Sequence, residues 1–223
     1  MQSIEDKILA RIYGHGRGWV FSKVDFLDLA PGGTVDSSLS RLRRRGSIRR
    51  IGSGLYDYPR SSPLLDEELS PDIPLVAQAI ARRYNWHIVA DGSTALHDLG
   101  LSEQVPARFS YLSSGPHRTV EVMGTTLEFR HRKTQHTAIA DSDGAILVQA
   151  IQAIGKERIR DAEISRLSGL FSPQKFRRIV QATRTASTWI HDVIKASAAL
   201  AERTDDSPSG DIVSPRRART GTA

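Results

Sequence analysis

Residues 34–58, TVDSSLSRLRRRGSIRRIGSGLYDY, constrain this chain more than any other stretch. Thr34 is a natural helix cap and Gly46 a natural stop, so the spacing predicts a helix from 34 to about 45. At 100° per residue Val35, Leu39 and Leu42 share one face and must pack inward, while Ser37, Ser40, Arg41 and Arg44 fall on the opposite face. Beyond the stop, Ile48–Ile51 and Leu55–Tyr58 flank Gly52-Ser53-Gly54, which reads as two strands and a glycine-bearing hairpin turn. Positions 48, 51, 55 and 56 are its candidates for the core. A helix with small hydroxyls and arginines on its free face can enter the DNA major groove. A basic hairpin beside it can reach neighbouring phosphates.

The residues before this stretch complete a pattern. Ile4, Ile8, Leu9 and Ile12 recur at helical spacing over 3–13, with Ser3 as cap and the GHGRG run (14–18) as stop. Trp19-Val20-Phe21 suits a short strand. Ser22 and Asp25 form an acidic variant of a capping box ahead of a second helix, with Val24, Leu27 and Phe26 as inward candidates, before Pro31-Gly32-Gly33 breaks it. Helix, strand, helix, turn, helix, hairpin is the order of a winged helix-turn-helix. The expected fold class is therefore α+β: an N-terminal winged helix-turn-helix over 1–60, then a mixed α/β domain ending in a helical bundle.

Charge placement agrees with a nucleic-acid partner. The formal net charge is +6, and residues 1–60 hold eleven Lys/Arg against six Asp/Glu, seven of the eleven between Arg41 and Arg60. Such a cluster attracts anions; a solvated basic face is the plainer alternative. The groove-facing set expected from phase and charge is Ser37, Ser40, Arg41 and Arg44, with Thr34 at the helix start also expected to bind DNA and Arg49, Arg50 and Ser53 of the hairpin on the DNA backbone or minor groove.

The run SKVDFLDL (22–29) with VDSSLSRLRRRGSIRRIGSGLYDYP (35–59) resembles the N-terminal module of AbiEi-type antitoxins, the transcriptional regulators of type IV toxin–antitoxin operons. The shared phrase stands here as Ser40-Arg41-Leu42, Gly46, Ile48, Arg50 and Gly54-Leu55-Tyr56. It covers about a quarter of the chain, and related winged helices share parts of it. A second stretch, DGSTALHDLGLSEQVPARFSYLSSG (91–115), also resembles these regulators. The resemblance implies an autorepressor that binds repeats in its own promoter on double-stranded DNA, a monomer in solution or a weak dimer on DNA. It also implies a C-terminal domain that counteracts a nucleotidyltransferase-like toxin without requiring a stable complex.

Residues 61–74 concentrate proline, serine and acid and read as a linker, with Leu64, Leu65 and Leu69 available for docking. From 75 to 200 the pattern predicts a helix to about Tyr84, a strand at 87–90 and a helix capped by Ser93 and closed by Gly100. Strands over 108–113, 119–123 and 126–132 follow, with Gly124 at a hairpin turn. Helices then follow over 146–154, 161–169, 173–184 and from Ser187 to about Leu200. The pair 161–184 has helix-turn-helix spacing with Lys175, Arg177, Arg178 and Arg184 on its later member. An antiparallel helical hairpin with a solvated basic face is the preferred reading of it, and a supplementary DNA or toxin surface is a third. Residues 201–223 have little apolar content and are expected to be disordered; Arg216, Arg217 and Arg219 either add nonspecific phosphate affinity or are inert.

No catalytic constellation emerges. Cysteine is absent, which removes disulfides, thiol catalysis and thiolate metal sites. The seven histidines (15, 87, 97, 117, 131, 136, 191) form no His-Glu-x-x-His pattern. Gly14–Gly18 lacks the Gly-Lys-Ser/Thr ending of a phosphate loop. Gly92-Ser93 evokes a nucleotidyltransferase signature without its paired carboxylates. No cofactor, metal or enzymatic activity is expected. No run of about eighteen apolar residues exists to span a membrane, and the acid-bearing N-terminus is unlike a signal peptide, so a cytoplasmic, bacterial-type protein is expected. The alternative to an antitoxin is a winged-helix regulator whose second domain senses a ligand or holds a dimer, with no toxin partner.

Overall fold

The computed structural model describes residues 2–62, 67–132 and 141–205. The architecture is mixed α+β. In the first part, α1 (Ile4–His15), β1 (Val20–Phe21), a 3-10 turn (Lys23–Phe26), α2 (Gly32–Arg44), β2 (Arg49–Gly52) and β3 (Leu55–Asp57) follow in order. The three strands form one antiparallel sheet in the order β1-β3-β2. Ser3 caps α1 in a capping box with Asp6, and Gly16 ends it at positive φ. Ile8, Ile12, Phe21, Phe26, Val35, Leu39, Leu42 and Ile48 close into one core.

Two expectations are corrected here. The helix predicted after Ser22 is a single 3-10 turn, with Phe26 buried and Leu27 turned to solvent. The guanidinium of Arg11 donates to the Asp25 carbonyl at 2.7 Å and to the Asp28 carboxylate, tying up backbone that a longer helix would use. Thr34 is not a cap: α2 starts two residues earlier, with Pro31 at the cap position, and the Pro31 carbonyl accepts from the Thr34 and Val35 amides at 2.9 and 3.1 Å. Gly32 and Gly33, read as breakers, occupy the first turn.

The segment expected as a linker carries a two-residue ladder, β4 (Ser61–Ser62) against β5 (Glu67–Glu68). Leu64 and Leu65 lie outside the described residues, and Leu69 is exposed. The chain then builds α3 (Ile73–Tyr84), β6 (Ile88–Ala90), α4 (Ser93–Asp98), β7 (Phe109–Ser113), β8 (Arg118–Val122) and β9 (Thr125–His131). Gly92, rather than Ser93, precedes α4 as its cap. The strands form a sheet ordered β6-β7-β9-β8, with β7 and β9 parallel and the other pairs antiparallel. Met123 and Gly124 both take positive φ (48° and 81°), the geometry of a tight hairpin turn between β8 and β9. The helices α5 (Ser142–Ile154), α6 (Asp161–Ser168), α7 (Pro173–Ala182) and α8 (Thr188–Asp205) close the fold around a second core containing Leu147, Ile151, Phe176, Ile179 and Ile194. The last helix thus covers 201–205, which the sequence assigned to a disordered tail; the rest of that tail lies outside the described residues.

A third core joins the two parts. Val20, Ile51 and Leu55, from β1, β2 and β3, pack in the same buried cluster as Val76, Ile80, Tyr111, Val122 and Phe129. Polar clasps flank it. Arg82 of α3 donates to the Asp25 carboxylate and to the Val20 carbonyl, both at 2.8 Å, and Arg83 donates to the Ser53 carbonyl at 2.5 Å. The hairpin tip therefore rests on the end of α3.

One acid in the second part is held against its preference. Burial pushes the Asp98 carboxyl up to about 6, with His97 opposing the shift and Asp72 adding to it. The folded state therefore holds the proton more tightly than the unfolded chain, and stability falls as pH rises from about 4 to 6. Asp98→Asn is expected to raise stability by about 1–2 kcal/mol at pH 7.5, discounted for the partial exposure of the side chain. Denaturant melts should show that gap closing below about pH 4; a variant less stable at pH 7.5 would contradict it. No helix among the described residues is long and apolar enough to cross a membrane.

Candidate nucleic-acid interface

α2 has the two faces that helical phase predicts. Val35, Leu39 and Leu42 are fully buried, joined by Ser38, while Thr34, Ser37, Ser40, Arg41 and Arg44 are exposed. The reason is local: the inward three recur at i, i+4 and i+7 and meet α1 and the 3-10 turn, leaving the intervening hydroxyls and guanidinium groups to solvent. Three of the arginines sit in the last turn, where cations are favoured by the helix dipole.

The arginines are not equivalent. Arg44 and its neighbour Arg43 are exposed, and their side chains make no hydrogen bond or ion pair among the described residues. Arg41 is engaged: its Nε donates to the Glu5 carboxylate at 2.8 Å and its Nη2 to the Ser38 hydroxyl at 3.2 Å. Arg45 reaches the other oxygen of Glu5. Glu5, on α1, is largely covered and holds both guanidinium groups from behind the helix. Its role could not be read from sequence, because 36 and 40 residues separate it from its partners.

In the hairpin, Arg50 is exposed, and among the described residues its side chain donates only to the Gly52 carbonyl of its own strand, at 3.1 Å. Ser53 is exposed at the tip, with its carbonyl taken by Arg83. Gly54 adopts φ +67°, and a Cβ there would meet the Arg83 guanidinium at 3.0 Å, so glycine serves both the turn and the docking. Arg49 departs from expectation. Its side chain turns away from solvent and grips Asp57 through two hydrogen bonds of 3.1 and 2.6 Å, and also bonds the Leu69 carbonyl at 2.9 Å. Asp57, facing it across the ladder, is almost fully buried, and its carboxylate holds Arg49 further into its charged range. Arg49 is a structural cation, unavailable to a phosphate without leaving a buried carboxylate unpaired.

The face that remains comprises Thr34, Ser37, Ser40, Arg43, Arg44 and Arg50, with Arg41 and Arg45 behind the Glu5 clamp. Phase analysis missed Arg43 and Arg45, which lie at its flanks; the unbroken run of basic residues was the signal available. On the later helix of the 161–184 pair, Lys175 pairs with Asp143 at 2.8 Å and Arg177 with Glu202 at 3.0 Å. These pairs tie α7 to α5 and α8. Among the described residues no group of three or more His, Cys, Asp or Glu is placed to hold a metal ion.

Comparison with known proteins gives a family and structural neighbours. No curated protein matches the chain. The crystal structure of the RV2827C protein from Mycobacterium tuberculosis is similar at 17% identity and a TM-score of 0.40, over 91% of this chain and 82% of that one. A family model described as a family of unknown function, DUF6088, matches residues 7–179, from within α1 into α7. The chain belongs to that family of unknown function.

Proposed function

We propose that this protein binds double-stranded DNA at its own promoter as an autorepressor, and that it is the antitoxin of a type IV toxin–antitoxin system opposing a nucleotidyltransferase-like toxin. The observation that carries the DNA part is the divided helix: α2 buries Val35, Leu39 and Leu42 completely and offers Ser37, Ser40 and an unpaired Arg44 to solvent beside a basic hairpin. In this reading the first sixty residues form a winged helix-turn-helix, with α2 as the reading helix and β2–β3 as the wing. Serines permit close approach to the groove floor, Arg44 forks onto a guanine edge, and Arg43 and Arg50 neutralise phosphates. The antitoxin part rests on the resemblance of residues 22–59 and 91–115 to AbiEi-type regulators. No catalytic step or cofactor is assigned to the chain.

A mobility-shift titration on the chain's own promoter, across a salt series, tests the DNA part. Arg50→Ala is expected to weaken all DNA about equally and to flatten the salt slope by about one unit, as for a lost phosphate contact. A loss confined to one sequence would move Arg50 into a groove. Glu5→Gln is expected to act in the opposite direction. With the clamp removed, Arg41 and Arg45 are free for phosphates, and affinity at low salt should rise roughly three- to tenfold. Unchanged affinity would mean that neither arginine reaches DNA. Co-expression with the neighbouring gene, scored as growth rescue, tests the antitoxin part.

A regulator whose second domain senses a ligand is the competing reading. It is favoured by a cleft beneath α3, lined by buried polar groups that the fold leaves unsatisfied.

A further inference from the structure

A cleft of about 290 Å3 opens between α3, β6, α4, β7 and the start of α5. Its walls are mostly apolar, with Pro74, Ile88, Leu99 and Ile146 among them. Polar side chains interrupt that lining: Gln78 of α3, Asp98 at the end of α4, Tyr111 in the middle of β7, and Ser142 and Asp143 at the start of α5. Tyr111 is 3% exposed, yet among the described residues its hydroxyl has no hydrogen-bond partner, and one carboxylate oxygen of Asp98 is likewise buried and unpartnered. Asp98 forms no ion pair among the described residues. The other carboxylate on the cleft, Asp143, is already neutralised by Lys175 at 2.8 Å.

Buried polar groups without partners are rare in folded proteins, and each carries a desolvation penalty that only a partner relieves. Two of them on one apolar cleft specify what that partner must supply. The carboxylate accepts hydrogen bonds only, and the phenol oxygen still has lone pairs to offer. One unneutralised carboxylate calls for one positive charge, and the apolar walls call for a hydrocarbon portion. With Asp143 paired to Lys175, the cleft offers a metal ion one free carboxylate, and no group of three or more His, Cys, Asp or Glu among the described residues is placed to hold one.

We propose that this cleft binds a small primary amine as its ammonium ion, the nitrogen donating to Asp98 and Tyr111 and a short aliphatic chain lying on Pro74, Ile88, Leu99 and Ile146. The burial that pushes the Asp98 carboxyl upward is the strain such a cation relieves. The proposal does not depend on DNA binding, and its test requires none.

The full-length protein is titrated with isopentylammonium chloride, isopentanol and sodium isovalerate at matched ionic strength and pH 7.5, by calorimetry and by thermal melts. The ammonium is expected to bind at least about tenfold more tightly than the alcohol, the discrimination of a charge-assisted hydrogen bond. The carboxylate should not bind. In Asp98→Asn the preference for ammonium over alcohol should fall to about unity. Tyr111→Phe keeps the ring that packs in the core and should weaken the ammonium several-fold. Equal affinity for alcohol and ammonium, no binding of either, or a preference that survives Asp98→Asn would each overturn the proposal. Melts of the two variants without added compound show that they fold, so a lost response is a lost site.

Discussion

Arg49→Ala is expected to lower the unfolding free energy by about 3–5 kcal/mol, the cost of stranding a buried carboxylate. Arg49 is 18% exposed in its side chain and Asp57 2%, and two hydrogen bonds join them across neighbouring strands. The same guanidinium reaches the Leu69 carbonyl at 2.9 Å and the Glu68 carboxylate at 3.3 Å, so it also fastens the β4–β5 segment to the hairpin. Its removal leaves Asp57 with neither solvent nor a cation. Urea unfolding of full-length protein should show the midpoint falling sharply. Arg49→Met combined with Asp57→Asn should recover much of the loss, because no charge is then buried alone. A stable Arg49→Ala protein with weakened DNA binding would instead return Arg49 to the DNA face.

Arg44→Ala should behave in the opposite way, sparing stability and reducing affinity for the promoter by about tenfold to a hundredfold, or 1–3 kcal/mol, as for a lost base contact. Arg44 is exposed, and among the described residues its guanidinium makes no hydrogen bond or ion pair on which the fold relies. Arg41→Ala on the same face should lose less, because contact with DNA requires Arg41 to leave Glu5 first. The ratio of specific to random-sequence affinity, measured at one salt concentration, separates the variants. Arg44→Ala should lower that ratio and Arg50→Ala should leave it unchanged. Unaltered binding by Arg44→Ala would remove α2 from the role of reading helix.

The inward seam of α2 was legible in the sequence because a 3.6-residue period needs only local information, and Val35, Leu39 and Leu42 carry it within eight positions. The hairpin was legible for a similar reason, since Ser53-Gly54 sits between two short apolar runs. Local information also misled. Gly32 and Gly33 look like a break, yet α2 needs only the Pro31 carbonyl to start its hydrogen-bond ladder there. The exposed-face arginines all looked alike until Glu5 and Asp57 came within reach of two of them, and no spacing rule connects residue 5 to residue 41. The order β6-β7-β9-β8 was equally hidden, because it depends on β9 inserting between β7 and β8. The cleft polar pair was invisible because Asp98 and Tyr111 become neighbours only when α4 folds over β7.

Ile51 and Leu55 belong to the basic hairpin by sequence but to the Val76–Ile80 side of the molecule by packing. A fragment ending near residue 60 would carry their bare side chains, with Val20, as an open oily patch, and one starting near residue 70 would carry the complementary one. Neither half is a portable part that could be grafted onto another protein. Over evolutionary time the hairpin and α3 must then be inherited together, a change of volume on one side answered by a change on the other.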